Sequence, residues 1–135
     1  MNANTFPSTR QGLQVAYAKY DFAVNGGVQG TIAPASSLIP DNAILVGGTI
    51  NSTAAVTSLG SATVAIGTSA GSSTTSIKGA TAKATLSLDA VLNAVPVFAT
   101  PVKMTAAGTI TFTIATADLT AGVIEVWIYF VQASA

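Results

Sequence analysis

The stretch Thr109-Ile110-Thr111-Phe112-Thr113-Ile114 alternates hydroxyl and apolar side chains without a fault. Successive side chains of a strand point to opposite sides of a sheet, so Ile110, Phe112 and Ile114 face one way and the threonines the other. Threonine is β-branched and suits the exposed side of such a strand. The closing run repeats the pattern: Ile124, Val126, Ile128 and Phe130 point to one side, Glu125, Trp127 and Tyr129 to the other. That second side is not a solvated one. A strand bearing Trp127 and Tyr129 opposite its core residues is expected to be covered by a neighbouring chain or by the N-terminal segment.

Further strands are expected over residues 14–24, 28–32, 43–52, 62–68, 81–88 and 97–104. Ile44, Val46 and Ile50 share a parity, with Gly48 between them, which predicts a bend or a close backbone approach there. Leu86 and Leu88 are expected on one face. Asn25-Gly26-Gly27 can supply the positive φ angles of a tight hairpin. Pro40-Asp41-Asn42 reads as a type I turn with proline at its second position. Helix is scarce: residues 88–93 could form one turn, ended by Pro96. The Gly/Ser/Thr cluster at 68–76 reads as an exposed loop tip. Many short strands with frequent turns predict an all-β fold, an antiparallel β-sandwich of about eight strands. A Greek-key jelly roll is the first expectation and an immunoglobulin-like sandwich the second. Residues 1–12 lack periodicity and read as an extended N-terminal arm that orders against a partner, leaving 13–135 as a single sandwich domain.

Composition removes most chemistry. The chain of 135 residues has no histidine and no cysteine, and half of it is hydrophobic. Without histidine a serine has no ordinary base, and without histidine or cysteine most zinc sites are excluded. Asp21, Asp41, Asp89, Asp118 and Glu125 are too scattered to pair as glycosidase carboxylates or to surround calcium. Gly26-Gly27-Val28-Gln29-Gly30 is glycine-rich but fits a turn better than a phosphate loop. No catalytic residue, cofactor or metal is therefore expected. Five basic residues balance five acidic ones, so the basic excess of a nucleic-acid binder is missing. Mean hydropathy is +0.59, yet the longest apolar run, 123–131, is broken by Glu125 and falls short of the roughly 20 residues of a spanning helix. Neither a membrane location nor a secretory signal is expected. Few charges at zero net charge leave little repulsion between copies, which favours association.

Candidate contact residues follow from parity. Tyr20 and Phe22 share a face with Val24 and read as core, whereas Tyr17 has the opposite parity, beside Lys19. Tyr17, Trp127 and Tyr129 are the candidates within the sandwich. Phe6, Pro7 and Arg10 offer an anchor and a charge in the arm.

The stretch Ala18-Lys19-Tyr20-Asp21-Phe22-Ala23-Val24-Asn25-Gly26-Gly27-Val28-Gln29-Gly30-Thr31-Ile32 resembles the opening of a family of small tailed-bacteriophage virion proteins. Leu38-Ile39-Pro40-Asp41-Asn42-Ala43-Ile44-Leu45 and Ala107-Gly108-Thr109-Ile110-Thr111-Phe112-Thr113-Ile114 continue the likeness. So does the ending Leu119-Thr120-Ala121-Gly122-Val123-Ile124-Glu125-Val126-Trp127-Ile128-Tyr129-Phe130. The resemblance implies a capsid cement or decoration protein on the outer surface of the phage head. Its partners would be the major capsid protein and further copies of itself, commonly as a homotrimer. The alternative expectation is a tail or fibre module that recognises a host-surface carbohydrate through the 68–76 loop.

Overall fold

The structure is a computed structural model that describes residues 12–70 and 73–132. All of the arm but Gly12 lies outside them, as do Phe6, Pro7 and Arg10. Nine strands form in chain order: β1 (Gln14–Asp21), β2 (Gly30–Ile32), β3 (Ala43–Ser58), β4 (Thr63–Thr68), β5 (Ser73–Ala82), β6 (Ala90–Asn93), β7 (Val102–Lys103), β8 (Ile110–Ala115) and β9 (Leu119–Gln132). One sheet runs β1-β9-β3-β6, with β7 also paired to β3, and the other runs β2-β8-β4-β5. Every pairing is antiparallel. Apart from β4 to β5 and β6 to the short β7, each connection crosses between the sheets. A five-stranded and a four-stranded sheet interleaved in this way, with the short β7 off the main path, are a jelly roll, the first of the two expected sandwiches.

The inner faces come from the alternation. Ile110, Phe112 and Ile114 on β8 and Ile124, Val126, Ile128 and Phe130 on β9 are buried. Tyr20 of one sheet meets Phe112 of the other with ring centroids 5.7 Å apart, inside the favourable range for tilted aromatic pairs. The Tyr20 hydroxyl donates to the Gly26 carbonyl at 2.6 Å, so its polar end is satisfied. Ser52, fully buried, donates toward the carbonyls of Ala54 and Leu86, both at 3.1 Å. The long strands β3 and β9 pair along most of their length.

Several local expectations are corrected. A bulge between Leu45 and Gly47 inserts Val46 as an extra residue and reverses the parity of β3. Ile44 therefore lies half-buried on the outer side while Leu45 and Ile50 are in the core. The close approach at Gly48 is real: a Cβ there would lie 2.6 Å from Ile128 Cδ1 and 2.8 Å from Ala94 Cβ. Asn25-Gly26-Gly27 does not close a hairpin, because β1 and β2 belong to different sheets. The chain instead leaves β1 through a helical turn, α1 (Phe22–Asn25), whose Ala23 amide donates to the Asp21 side chain at 3.0 Å. That turn carries Val24 out of the core into solvent. The Pro40 carbonyl accepts from the Ala43 amide at 3.3 Å, so proline opens the turn and Asn42 (φ 65°) takes its left-handed position. Residues 73–76, expected in a loop, begin β5, and residues 90–93, expected in a helical turn, form β6. β5 stops at Ala82 and a short 3-10 turn (Lys83–Thr85) follows, which buries Leu86 and exposes Leu88. Of residues 97–104 only Val102–Lys103 joins a sheet.

Candidate contact surface

The two outer faces of the sandwich differ in chemistry. On the β2-β8-β4-β5 sheet the register sets Thr113 between Thr31 and Ala65, Thr111 beside Gly67, and Ala115 beside Thr63. Thr31 and Thr113 share a hydroxyl hydrogen bond at 3.0 Å. Among the described residues, none of the exposed large hydrophobic side chains lies on β2, β4, β5 or β8. This face is built from small and hydroxyl-bearing residues, with Thr31 and Thr113 at its more accessible positions and Ala65, Gly67 and Thr111 buried.

The outer face of β1-β9-β3-β6 is apolar over its first rungs. Val15 stands opposite Tyr129, which in turn stands opposite Gly47. The Tyr129 ring lies over that glycine, whose Cβ position is 3.7 Å from Tyr129 Cδ2. One rung further, Tyr17 stands opposite Trp127 with ring centroids 5.5 Å apart at 46°. Leu13 and Val15 are more than half exposed, at 57% and 51%, and Tyr129 is 37% exposed. Directly opposed aromatic and aliphatic pairs contribute roughly 0.2–1 kcal/mol each to a sheet, so the rungs hold their own geometry and still present apolar surface outward.

A polar rung closes the patch, with Lys19 opposite Glu125 and Glu125 opposite Asn51. The Tyr17 hydroxyl donates to Glu125 Oε2. That bond, then partial burial and the carboxylate's charge, push the Tyr17 pKa up to about 12. Burial, followed by the charge of Asp21, does the same to Tyr20. Both phenols are therefore neutral hydrogen-bond donors over the physiological range. The free edge of β1 is covered where the Ser37 amide donates to the Tyr17 carbonyl at 3.0 Å and the Tyr17 amide to Ser37 Oγ at 3.1 Å. An edge closed in this manner resists unplanned strand pairing.

Of the residues singled out in the sequence, the structure brings Tyr17, Trp127 and Tyr129 together on one face. Leu13 and Val15 complete the patch and were missed, although the parity that marks Tyr17 marks Val15 as well. Leu88, Val91, Val95, Val97 and Phe98 are exposed as well and were also missed. Phe98 fell within the strand expected over 97–104, where the turn between Val97 and Thr100 exposes it instead. Among the described residues no group of three or more acidic, histidine or cysteine side chains gathers as for a metal ion, and no helix is long and apolar enough to cross a membrane. A cleft of about 180 Å³ near the end of β4 is lined by Leu45, Thr68, Ala70, Ser73, Ser76, Val102, Lys103, Met104 and Thr105. It contains no aromatic platform for a sugar.

Fold and surface together define a jelly roll with one hydroxyl face and one apolar, aromatic face. No family model matches the sequence, and no curated protein matches it either. The fold is shared with solved phage structures. A chain of the cyanophage Pam1 capsid asymmetric unit superposes with a TM-score of 0.67 at 15% identity, covering 98% of this chain and 94% of that one. A chain in the capsid of Ralstonia phage GP4 gives 0.64 at 13% identity, covering 99% and 93%. A third, from the acidic stable capsid of Helicobacter pylori bacteriophage KHP30, gives 0.62 at 11% identity, covering 90% and 89%. At these identities the likeness establishes a common fold.

Proposed function

We propose that this chain is a structural protein of a bacteriophage virion, a cement or decoration subunit on the outer surface of the capsid. The observation that carries the reading is the near end-to-end match of its jelly roll to chains of three phage capsid structures. The outer face carrying Tyr17, Trp127 and Tyr129 supports it, since apolar side chains assembled at that density gain free energy when a partner removes them from water. Few charges have to be desolvated in the process. The partners are the major capsid protein and further copies of the chain, as a homotrimer. Residues 1–12, with Phe6, Pro7 and Arg10, grip the shell as an arm. Neither catalysis nor nucleic-acid binding belongs to this reading. The carbohydrate-binding alternative receives no support from residues 68–76, half of which are β-strand beside a cleft without aromatics.

The test is direct. Purified particles are analysed by mass spectrometry, and recombinant chain is co-sedimented with capsid shells with and without residues 1–12. The full chain is expected in the particles and in the shell pellet, and the shortened chain in the supernatant though still folded. Particles that lack the polypeptide, together with shells that do not pull it down, would end the proposal.

A further inference from the structure

The connection from β1 to β2 contains Asn25-Gly26, and no other asparagine of the chain is followed by glycine. Gly26 has φ 75°, a left-handed angle that glycine takes without cost, so the turn itself calls for this pair. The pair is chemically unstable. The main-chain nitrogen after an asparagine can attack its side-chain carbonyl carbon, and glycine has no side chain to obstruct the approach. We propose that Asn25 is a modification site: it deamidates spontaneously, the turn at residues 21–26 holds the rate down, and the product unfastens the start of β9.

The reaction needs only water. The Gly26 nitrogen gives its proton to hydroxide and bonds to Asn25 Cγ. The Cγ–Nδ2 bond then breaks, and ammonia leaves with a proton taken back from water. A second water opens the resulting succinimide. Opening at the side-chain carbonyl leaves aspartate. Opening at the main-chain carbonyl leaves isoaspartate, whose backbone runs through the former side chain and is one carbon longer. Either way a neutral amide becomes a carboxylate. Water reaches the site, because Asn25 lines an open cleft of about 170 Å³ with Lys19, Asp21, Val24, Pro34 and Ala35.

Three hydrogen bonds hold the reacting atoms in place. The Gly26 amide donates to the Phe22 carbonyl at 3.0 Å, which occupies the proton that has to leave. Asn25 Oδ1 accepts from the Asp21 amide at 3.0 Å, which fixes the side-chain amide. The Gly26 carbonyl accepts from the Tyr20 hydroxyl at 2.6 Å, so the peptide that has to swing is moored to a buried ring. Each bond of ordinary net strength favours the closed turn by about a factor of five, which leaves roughly one part in a hundred open. The consequence of reaction lies one residue further on. A Cβ on Gly27 would stand 2.3 Å from the Leu119 carbonyl oxygen, and the Gly27 carbonyl accepts from the Leu119 amide at 2.8 Å. An extra backbone carbon just before Gly26 displaces that tight contact, which anchors the first residue of β9.

The experiment incubates the wild-type chain, Tyr20→Phe, Ile128→Ala and Asn25→Gln at mildly alkaline pH, and the wild type also in guanidinium chloride. Peptide mapping by mass spectrometry follows loss of the residue 25 amide, and isoaspartyl methyltransferase labels the isoaspartate. Unfolded wild type is expected to react about a hundred times faster than native wild type. Native Tyr20→Phe, with an unchanged circular dichroism spectrum, is expected to react about five times faster than native wild type. Ile128→Ala weakens the core away from the turn and is expected to keep the wild-type rate. Asn25→Gln is expected to take no label at residue 25, and the purified isoaspartyl form to melt below the unmodified chain. Equal rates in the native and unfolded wild type, amide loss confined to other asparagines, or an isoaspartyl form that melts with the unmodified chain overturns the proposal. So does a native Tyr20→Phe no faster than wild type; should that variant unfold, the wild-type ratio decides alone.

Discussion

Ile128 and Tyr129 are neighbours on β9 that face opposite sides of the sheet, and replacing each by alanine separates folding from assembly. Ile128 is fully buried and packed in the common core. Its truncation removes three carbons, worth roughly 0.8 kcal/mol apiece or about 2.4 kcal/mol in transfer alone. The void left behind raises the loss to about 3–4 kcal/mol. For a chain of this size that is a fall in Tm of roughly 10–15 °C. Tyr129, 37% exposed and resting on Gly47, gives up only part of that contact within one copy. Tyr129→Ala is expected to cost about 1 kcal/mol or less in folding, the range for a cross-strand pair, while shifting the assembly toward single chains. Urea unfolding reports the first quantity and light scattering the second, both at one fixed protein concentration because association makes apparent stability concentration-dependent. Equal losses of folding stability, or an assembly untouched by Tyr129→Ala, would refute the assignment of the two faces.

Three further outcomes follow from single sites. A Cβ on Gly67 would stand 1.9 Å from the Ser73 carbonyl oxygen, so Gly67→Ala forces β4 from β5 and should cost about 3 kcal/mol, at the upper end for overpacking; an unchanged urea midpoint would deny that contact. Thr111 is 4% exposed and its hydroxyl has no hydrogen-bond partner, so Thr111→Val should raise stability by roughly 1 kcal/mol, and a loss of that size would reveal a partner. Tyr17 and Tyr20 hold their protons to about pH 12, whereas an unfolded tyrosine ionises near 10. The unfolded chain releases protons first, so stability is level below pH 10 and falls as pH rises from there toward 12. Phenolate absorbance should show these two groups titrating near 12, and Tyr17→Phe should remove one of them; midpoints at 10 for both would contradict the Glu125 bond and the burial of Tyr20.

An antiparallel sandwich was legible because alternation at 109–114 and 124–130 dictates which side chains enter the core whatever the strand order; the strand order that makes it a jelly roll was not. Parity counting fails where the backbone inserts a residue. The bulge at Val46 exchanges the faces of Ile44 and Leu45, and neither residue type announces it. At 22–25 a side chain decides the matter: Asp21 can cap a helical turn, so a run of strand-like residues bends out of the sheet. β6 escaped notice because Ala90-Val91-Leu92-Asn93 is short and its pairing with β3 is specified from forty residues away. The contact face was half legible. Trp127 and Tyr129 stand out by size and parity, but that Val15 extends their patch depends on which strand lies beside β9, a property of topology.

A side-chain-resolution cryo-EM map of the intact phage particle reaches the central claim in one step. It should show the jelly roll outside the shell, with Val15, Trp127 and Tyr129 buried against a neighbouring polypeptide and Thr31 and Thr113 open to water or to polar contacts. A map in which that aromatic face looks into solvent, or in which no such jelly roll occurs, would contradict the account.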